Sequence, residues 1–311
     1  MNKYFTLIVF SLLIMSGLQA NEIKNGFDLS DSIIKADKIL SGGPAKDGIP
    51  AINIPKFLSA KEAGNQIKNT DKILGVAMDG IARAYPIAIL NWHEIVNDKI
   101  NTTYFSVTYC PLCGSGVVFK NGTKKRIFGV SGLLYNNDVL LYDETTNSLW
   151  SQILSEAISG KLKGQKLTRY PAIHTDWQSW IKMHPNSQLL SQDTGFARNY
   201  QKNPYSGYNQ NKSIYFPVEN INKEYHPKER VLGIQVGDIF KAYPYIEVFK
   251  NKKSLIDEVG DKKIKINFDQ KSMSVWASDM DNNTMVTISS YWFAWMSFYP
   301  DSLVYKYKKN D

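Results

Sequence analysis

Cysteine is almost absent from this chain: 311 residues contain two, Cys110 and Cys113. Sulfur chemistry is therefore confined to one segment, Tyr109-Cys110-Pro111-Leu112-Cys113-Gly114. Histidine is nearly as scarce, with four. There is no Gly-x-Ser-x-Gly elbow, no His-Glu-x-x-His, no phosphate loop and no dinucleotide fingerprint, so the enzyme classes those patterns mark receive no support. Beyond the first twenty residues no apolar run is long enough to span a bilayer. The lysines are scattered and build no nucleic-acid module, although the formal net charge is +8; a solvated basic surface is the expectation.

What is present begins with a targeting signal. Residues 1–20 carry one lysine, no acid and an apolar core from Tyr4 to Met15, followed by small and polar residues up to Ala20. This is the charge, core and cleavage pattern of a secretory signal peptide. The expectation is an extracytoplasmic protein, periplasmic or secreted, with no transmembrane span in the mature chain. Residues 21–44 then form an N-terminal segment.

The remainder repeats itself. Leu74-Gly75-Val76 through Ala84-Tyr85-Pro86 matches Leu232-Gly233-Ile234 through Ala242-Tyr243-Pro244 at a shift of 158. Each copy reads as a β-hairpin around Asp79-Gly80 or Gly237-Asp238. Tyr142-Asp143 and Ser148-Leu149-Trp150 match Phe268-Asp269 and Ser274-Val275-Trp276 at 126, and Trp180, His184-Pro185 and Ser187 match Trp295, Tyr299-Pro300 and Ser302 at 115. The pattern predicts two related lobes, 45–200 and 201–311. The drop in shift predicts an insertion in the first lobe between the strand near Phe105 and the one beginning at Asp138.

Patterning predicts a β-rich α+β fold. A helix is expected over 86–96 and ended by Asn97-Asp98, with others over 176–183 and 291–299. Strands are expected near 103–109, 116–120, 126–130, 138–143 and 148–153. Residues 199–212 read as a long surface connection. Asp143, Trp150 and His184 have look-alikes in the other lobe, which favours packing roles. The methionines Met273, Met280, Met285 and Met296 are irregularly spaced, as core residues are. His93 has no counterpart.

The Cys-Pro-Leu-Cys-Gly segment lies between two expected strands and resembles the knuckle turn of rubredoxins and zinc ribbons. Pro111 fixes φ and Gly114 can turn left-handed, so backbone N–H groups are expected to face the sulfurs. On this reading Cys110 and Cys113 bind a transition metal, copper or zinc, with His93 as third ligand. A second reading makes Cys110 and Cys113 a redox pair, since a disulfide across so short a loop is a poor structural staple; against it, a strand rather than a helix follows Cys113. A third is a plain disulfide or a free buried pair. Ser131, Tyr135, Asn136 and Asp138 are candidates to line a cleft beside the sulfurs, and Asn137 reads as a turn residue.

At these residues the chain resembles a family of exported bacterial and archaeal proteins of unknown function, DUF3179. The carriers are Trp92-His93-Glu94-Ile95-Val96-Asn97-Asp98, Thr108 to Gly114, Phe128-Gly129-Val130-Ser131-Gly132, Leu134-Tyr135-Asn136, Tyr142-Asp143 and Ser148 to Gln152. The resemblance runs from about Asp47 to Tyr305. It implies that the Cys-Pro-x-Cys segment is a family feature and names no activity. The functional expectation is metal storage, delivery or electron transfer with an exported transfer or redox partner. The alternatives are a thiol-disulfide oxidoreductase acting on exported proteins and a non-catalytic ligand-binding module.

Overall fold

A computed structural model describes residues 22–309. The expected signal peptide lies outside the described residues. Among those described, no helix is long and apolar enough to cross a membrane.

The fold is α+β and rich in strands. The central sheet has eight strands, and its hydrogen-bonded path runs Leu303–Val304, Ile239–Pro244, Arg230–Val236, Ile288–Tyr291, Ser115–Gly122, Thr103–Cys110 and Ile95–Ile100, with Arg169–Tyr170 alongside Ser115–Gly122. Strands from both halves of the sequence therefore meet in one sheet. They join at Ser289↔Gly116, two residues past the cysteine loop. A five-stranded sheet contains Phe128–Tyr135 and Asp138–Asp143, another contains Lys72–Met78 and Ile81–Pro86, and a three-stranded sheet spans Leu255–Ser278.

The matched sequence blocks adopt matched geometry. The hairpins pair Ile73↔Pro86 through Met78↔Ile81 and Val231↔Pro244 through Val236↔Ile239. Leu141↔Trp150 and Tyr142↔Leu149 are mirrored by Asn267↔Trp276 and Phe268↔Val275. The helices Trp177–Met183 and Trp292–Phe298 each present a buried tryptophan whose indole N–H donates to a serine hydroxyl, Trp180 to Ser187 at 2.7 Å and Trp295 to Ser302 at 2.9 Å. Each indole packs against a hairpin glycine. A Cβ on Gly75 would stand 2.5 Å from Trp180, and one on Gly233 would stand 1.9 Å from Trp295. Repeated glycine and repeated tryptophan are thus two sides of one contact.

Among the strands without a counterpart are Ile95–Ile100, Thr103–Cys110 and Ser115–Gly122, which frame the cysteine loop. The expected insertion interval, from the strand near Phe105 to the one beginning at Asp138, holds the cysteine loop. The hairpin turning at Asn136-Asn137 has a second-half equivalent turning at Gly260-Asp261.

The expected helix over 86–96 is shorter, Ile87–His93. Glu94 adopts a left-handed conformation, φ 57°, and closes the helix by donating its N–H to Leu90 O. Ile95 and Val96 are β-branched and pair instead with Thr108 and Val107. Asn97 and Asp98, expected to end the helix, lie in this strand. The Asp98 carboxylate is held there by Arg83 at 2.7 Å and by Tyr85 at 2.5 Å. Residues 199–212 also differ from expectation: Tyr200 and Tyr208 are buried, so the connection packs down as a cover. Of the four methionines, Met296 is buried and Met285 packs at a core edge, whereas Met273 and Met280 are exposed.

Candidate metal centre

The strand Thr103–Cys110 runs into a four-residue loop, Pro111 to Gly114, and the chain returns along Ser115–Gly122. Cys110↔Ser115 is the last pair of that ladder. The loop is a knuckle between two strands, as expected. Its left-handed step falls at Gly114, φ 58°, where a Cβ would stand 2.6 Å from Arg230 Nη1 and 2.9 Å from the Tyr291 ring. The second half of the chain clamps the loop from that side. Tyr291 N–H donates to Cys113 O at 2.8 Å, and Arg230 Nη1 donates to Gly114 O at 2.7 Å.

Beneath the loop runs a buried polar relay. Ser115 Oγ donates to Gln152 Oε1 at 2.6 Å, Gln152 Nε2 donates to Thr108 Oγ1 at 2.9 Å, and Thr108 Oγ1 donates to Val117 O at 2.7 Å. Satisfied internally, such a network fixes one arrangement of the strands that carry the sulfurs.

Both cysteines are buried and unbridged. The hairpin between Phe128–Tyr135 and Asp138–Asp143 arrives against them. Its two-residue turn, Asn136-Asn137, has φ of 51° and 63°, the geometry whose twist suits a tight hairpin and which asparagine tolerates. The turn delivers its carbonyls to the thiols. Cys110 Sγ donates to Asn137 O at 3.3 Å, and Cys113 Sγ makes a long contact with Asn136 O at 4.0 Å. The sulfurs thus face the carbonyls of this turn, where backbone N–H groups of the knuckle were expected.

The next residue is Asp138. One donor atom from each of Cys110, Cys113 and Asp138 lies within 4.8 Å of the others, and all three residues are buried. Asp138 Oδ2 accepts from Ile153 N–H at 2.9 Å, while Oδ1 is buried with no hydrogen-bond partner. An orphaned carboxylate oxygen beside two thiols is costly unless something positive or protic meets it. Burial pushes the Asp138 carboxyl well above the usual range, opposed by backbone N–H groups and reinforced by Glu94. Burial also raises the Cys113 thiol, as do Cys110 and Asp138, while Lys228 opposes them. Nearby Glu94 is pushed up to about 8 by burial.

The fold does not bring the other expected residues to this point. His93 is fully buried with both ring nitrogens engaged, Nδ1 with Pro50 O at 2.8 Å and Nε2 with Tyr200 OH at 2.7 Å. The group that can hold an ion has Asp138 where His93 was expected. The Ser131 hydroxyl bonds Leu140 O and accepts from Leu133 N–H, which stabilises an irregular stretch of its own strand. Tyr135 OH donates to Glu219 at 2.5 Å. The Asn136 side chain accepts from Glu219 N–H and donates to Ser297 O, and Asn137 brackets Phe216. Tyr135, Asn136 and Asn137 pin the covering segment to the hairpin, so of the four cleft candidates Asp138 alone brings its side chain to the sulfurs, Asn136 meeting them only with its backbone carbonyl. Trp150 and Asp143 keep their expected packing role, the indole N–H donating to the carboxylate at 3.0 Å.

Sequence reasoning missed three cationic neighbours, Lys72, Lys228 and Arg230, together with His174. No spacing signal connects them, because they come from separate strands and a loop.

The family description that matches this chain is "Protein of unknown function (DUF3179)", over residues 46–302. The chain belongs to that family. No curated protein and no solved structure matches it.

Proposed function

We propose that this member of the DUF3179 family is an exported protein that binds one transition-metal ion through Cys110 Sγ, Cys113 Sγ and an Asp138 carboxylate oxygen. The observation that carries this reading is the orphaned Oδ1 of Asp138, buried beside two buried thiols in the one three-donor group found among the described residues. Two thiolates and a carboxylate fit a divalent ion of borderline softness. Exchanging an expected imidazole for a hard oxygen moves the preference from Cu(I) toward Zn(II).

When bound, the ion would supply the positive charge that the three donors lack. The protein's own part is to hold the donors in place. The knuckle sets the sulfur spacing, the Asn136-Asn137 turn presents the carboxylate, and Ile153 N–H orients it through Oδ2. Storage, delivery to an exported partner, or electron transfer with a redox-active ion are the roles that this donor set suits. Thiol-disulfide exchange with another protein is less well served. Both sulfurs are buried, and burial holds the Cys113 thiol protonated, whereas exchange needs an exposed thiolate.

The test is elemental analysis with thiol counting on protein isolated from its native compartment without chelator. One equivalent of zinc or copper, with both thiols shielded from reagent until the metal is stripped, is the expected outcome. Metal-free protein that takes up neither ion on reconstitution would overturn the reading.

A further inference from the structure

A second site lies on the other side of the cysteine loop. A cavity of about 350 Å3 opens over Tyr109 and Pro111, and its walls carry Lys72, Lys228, Arg230 and His174 but no aspartate or glutamate. Among the described residues none of the three cations forms a salt bridge. Their anchors are neutral. Lys72 Nζ donates to Ser272 O at 2.5 Å; Lys228 Nζ donates to Ser213 O at 2.6 Å and Asn211 O at 3.2 Å. Arg230 spends Nη1 on Gly114 O and Nη2 on Ser289 Oγ and His174 Nδ1.

The acids nearest these cations are occupied elsewhere. Asp176 and Asp269 lie near Lys72, but Asp176 caps its helix through Ser179 N–H and Asp269 accepts from Ser272 and Ser179. Glu229, beside Arg230, accepts from Ile246 N–H.

Lys228 is buried, and its ammonium sits 3.9 Å above the Tyr208 ring. Burying a cation without a counter-ion is unfavourable, and a ring face offsets only part of that cost. An ammonium has three donors and a guanidinium five, so each cation keeps protons that its anchors do not use. His174 Nδ1 accepts a hydrogen bond from Arg230, so the ring is neutral and carries its proton on Nε2. Around this polar floor stand the rings of Tyr205, Tyr208 and Tyr291.

We propose that this cavity binds a small organic oxyanion, a carboxylate or phosphoryl compound. Its charged group would be held by Lys72, Lys228 and Arg230, and its body would lie against Tyr205, Tyr208 and Tyr291. Unpaired cations converging on one cavity are the recognition chemistry of an oxygen anion. Arg230 touches both the cavity and Gly114 O, so the ligand would sit directly against the knuckle. The inference stands independently of the metal reading.

The experiment is calorimetric titration of the full mature chain, metal-free and zinc-treated in parallel, with inorganic phosphate and with succinate, against sodium chloride at equal ionic strength. The phosphate and succinate arms separate a phosphoryl from a carboxylate ligand. Saturable binding of at least one probe is expected, weakened at least about tenfold in Lys72→Met and further in Lys72→Met/Lys228→Met. Lys72 is exposed at the cavity mouth, so its single variant folds even if the buried Lys228 is needed for stability. Absence of saturable binding by both probes would overturn the proposal, as would equal affinity in Lys72→Met and wild type. So would variants that lose only zinc affinity, since the cations would then serve to balance the thiolates and Asp138.

Discussion

The Cys110 thiol donates to the backbone carbonyl of Asn137 at 3.3 Å, and this one contact ties the knuckle to the hairpin turn across 27 positions of chain. Because Asn137 precedes Asp138, the same contact that holds the turn against the sulfurs sets the carboxylate beside them. The donor set is thus a product of how two loops dock.

Asp138→Asn should keep the shape of the site and remove the carboxylate that ionises to bind the metal. Zinc affinity, measured by competition with a chromophoric chelator, should fall by more than about a hundredfold, since losing even an outer-shell partner costs tenfold to a hundredfold. Without metal, the variant should melt close to the wild-type temperature, because burial already keeps the wild-type carboxyl protonated and a neutral amide replaces a neutral acid. Unchanged zinc affinity would remove Asp138 from the ligand set.

His93→Ala should separate structure from ligation. The change leaves Pro50 O and Tyr200 OH without their partner and opens a cavity, for a loss of about 2–4 kcal/mol in chemical denaturation. Zinc affinity of the folded protein should be little changed. A collapse of affinity with stability intact would return His93 to the metal.

Metal uptake should release protons. Cys113 and Asp138 are both pushed up by burial, so they enter the reaction protonated and must lose their protons to bind the ion. Affinity should therefore weaken steadily as pH falls, and titrations in buffers of different ionisation enthalpy should show net proton release. A flat pH dependence across the acidic range would contradict this donor set.

Glu94→Gln should change how stability depends on pH. Burial pushes the folded carboxyl from its ordinary 4.5 up to about 8, so the native state holds its proton while the unfolded chain gives it up. That preference costs wild-type stability progressively as pH rises from the lower value to the higher, by about 5 kcal/mol in full. The variant carries no such penalty, so its advantage over wild type should grow from pH 5 to pH 8 in chelator-treated protein. A constant difference would show that Glu94 is solvated.

Gly233→Ala should destabilise more than Gly75→Ala. The added Cβ would stand 1.9 Å from Trp295 in the first case and 2.5 Å from Trp180 in the second. Overpacking of this kind costs about 1–3 kcal/mol and occasionally more, read from the denaturation midpoints.

The strand-rich class, the paired hairpins and the short tryptophan-bearing helices were legible because each rests on local pattern: alternation, turn residues, and a glycine matched to an aromatic. The knuckle was legible for the same reason, since Pro111 and Gly114 act on their own dihedrals. The helix boundary at Glu94 was not, because a left-handed glutamate carries no sequence signal and Ile95 became a strand only through its partner Thr108. His93 looked chemical because it is unique to its half of the chain, yet a ring that bridges Pro50 and Tyr200 is equally unique.

By itself, the sequence determined where the sulfurs are, that they leave one strand and enter another, and which family the chain belongs to. Tertiary structure alone decided what meets them. Asp138 reaches the thiols through the docking of a hairpin, and Lys228 and Arg230 reach the other side of the loop from the second half of the chain. Cations and carboxylates act through space over a few ångströms, and no local spacing rule records which distant loops the fold will bring within that range.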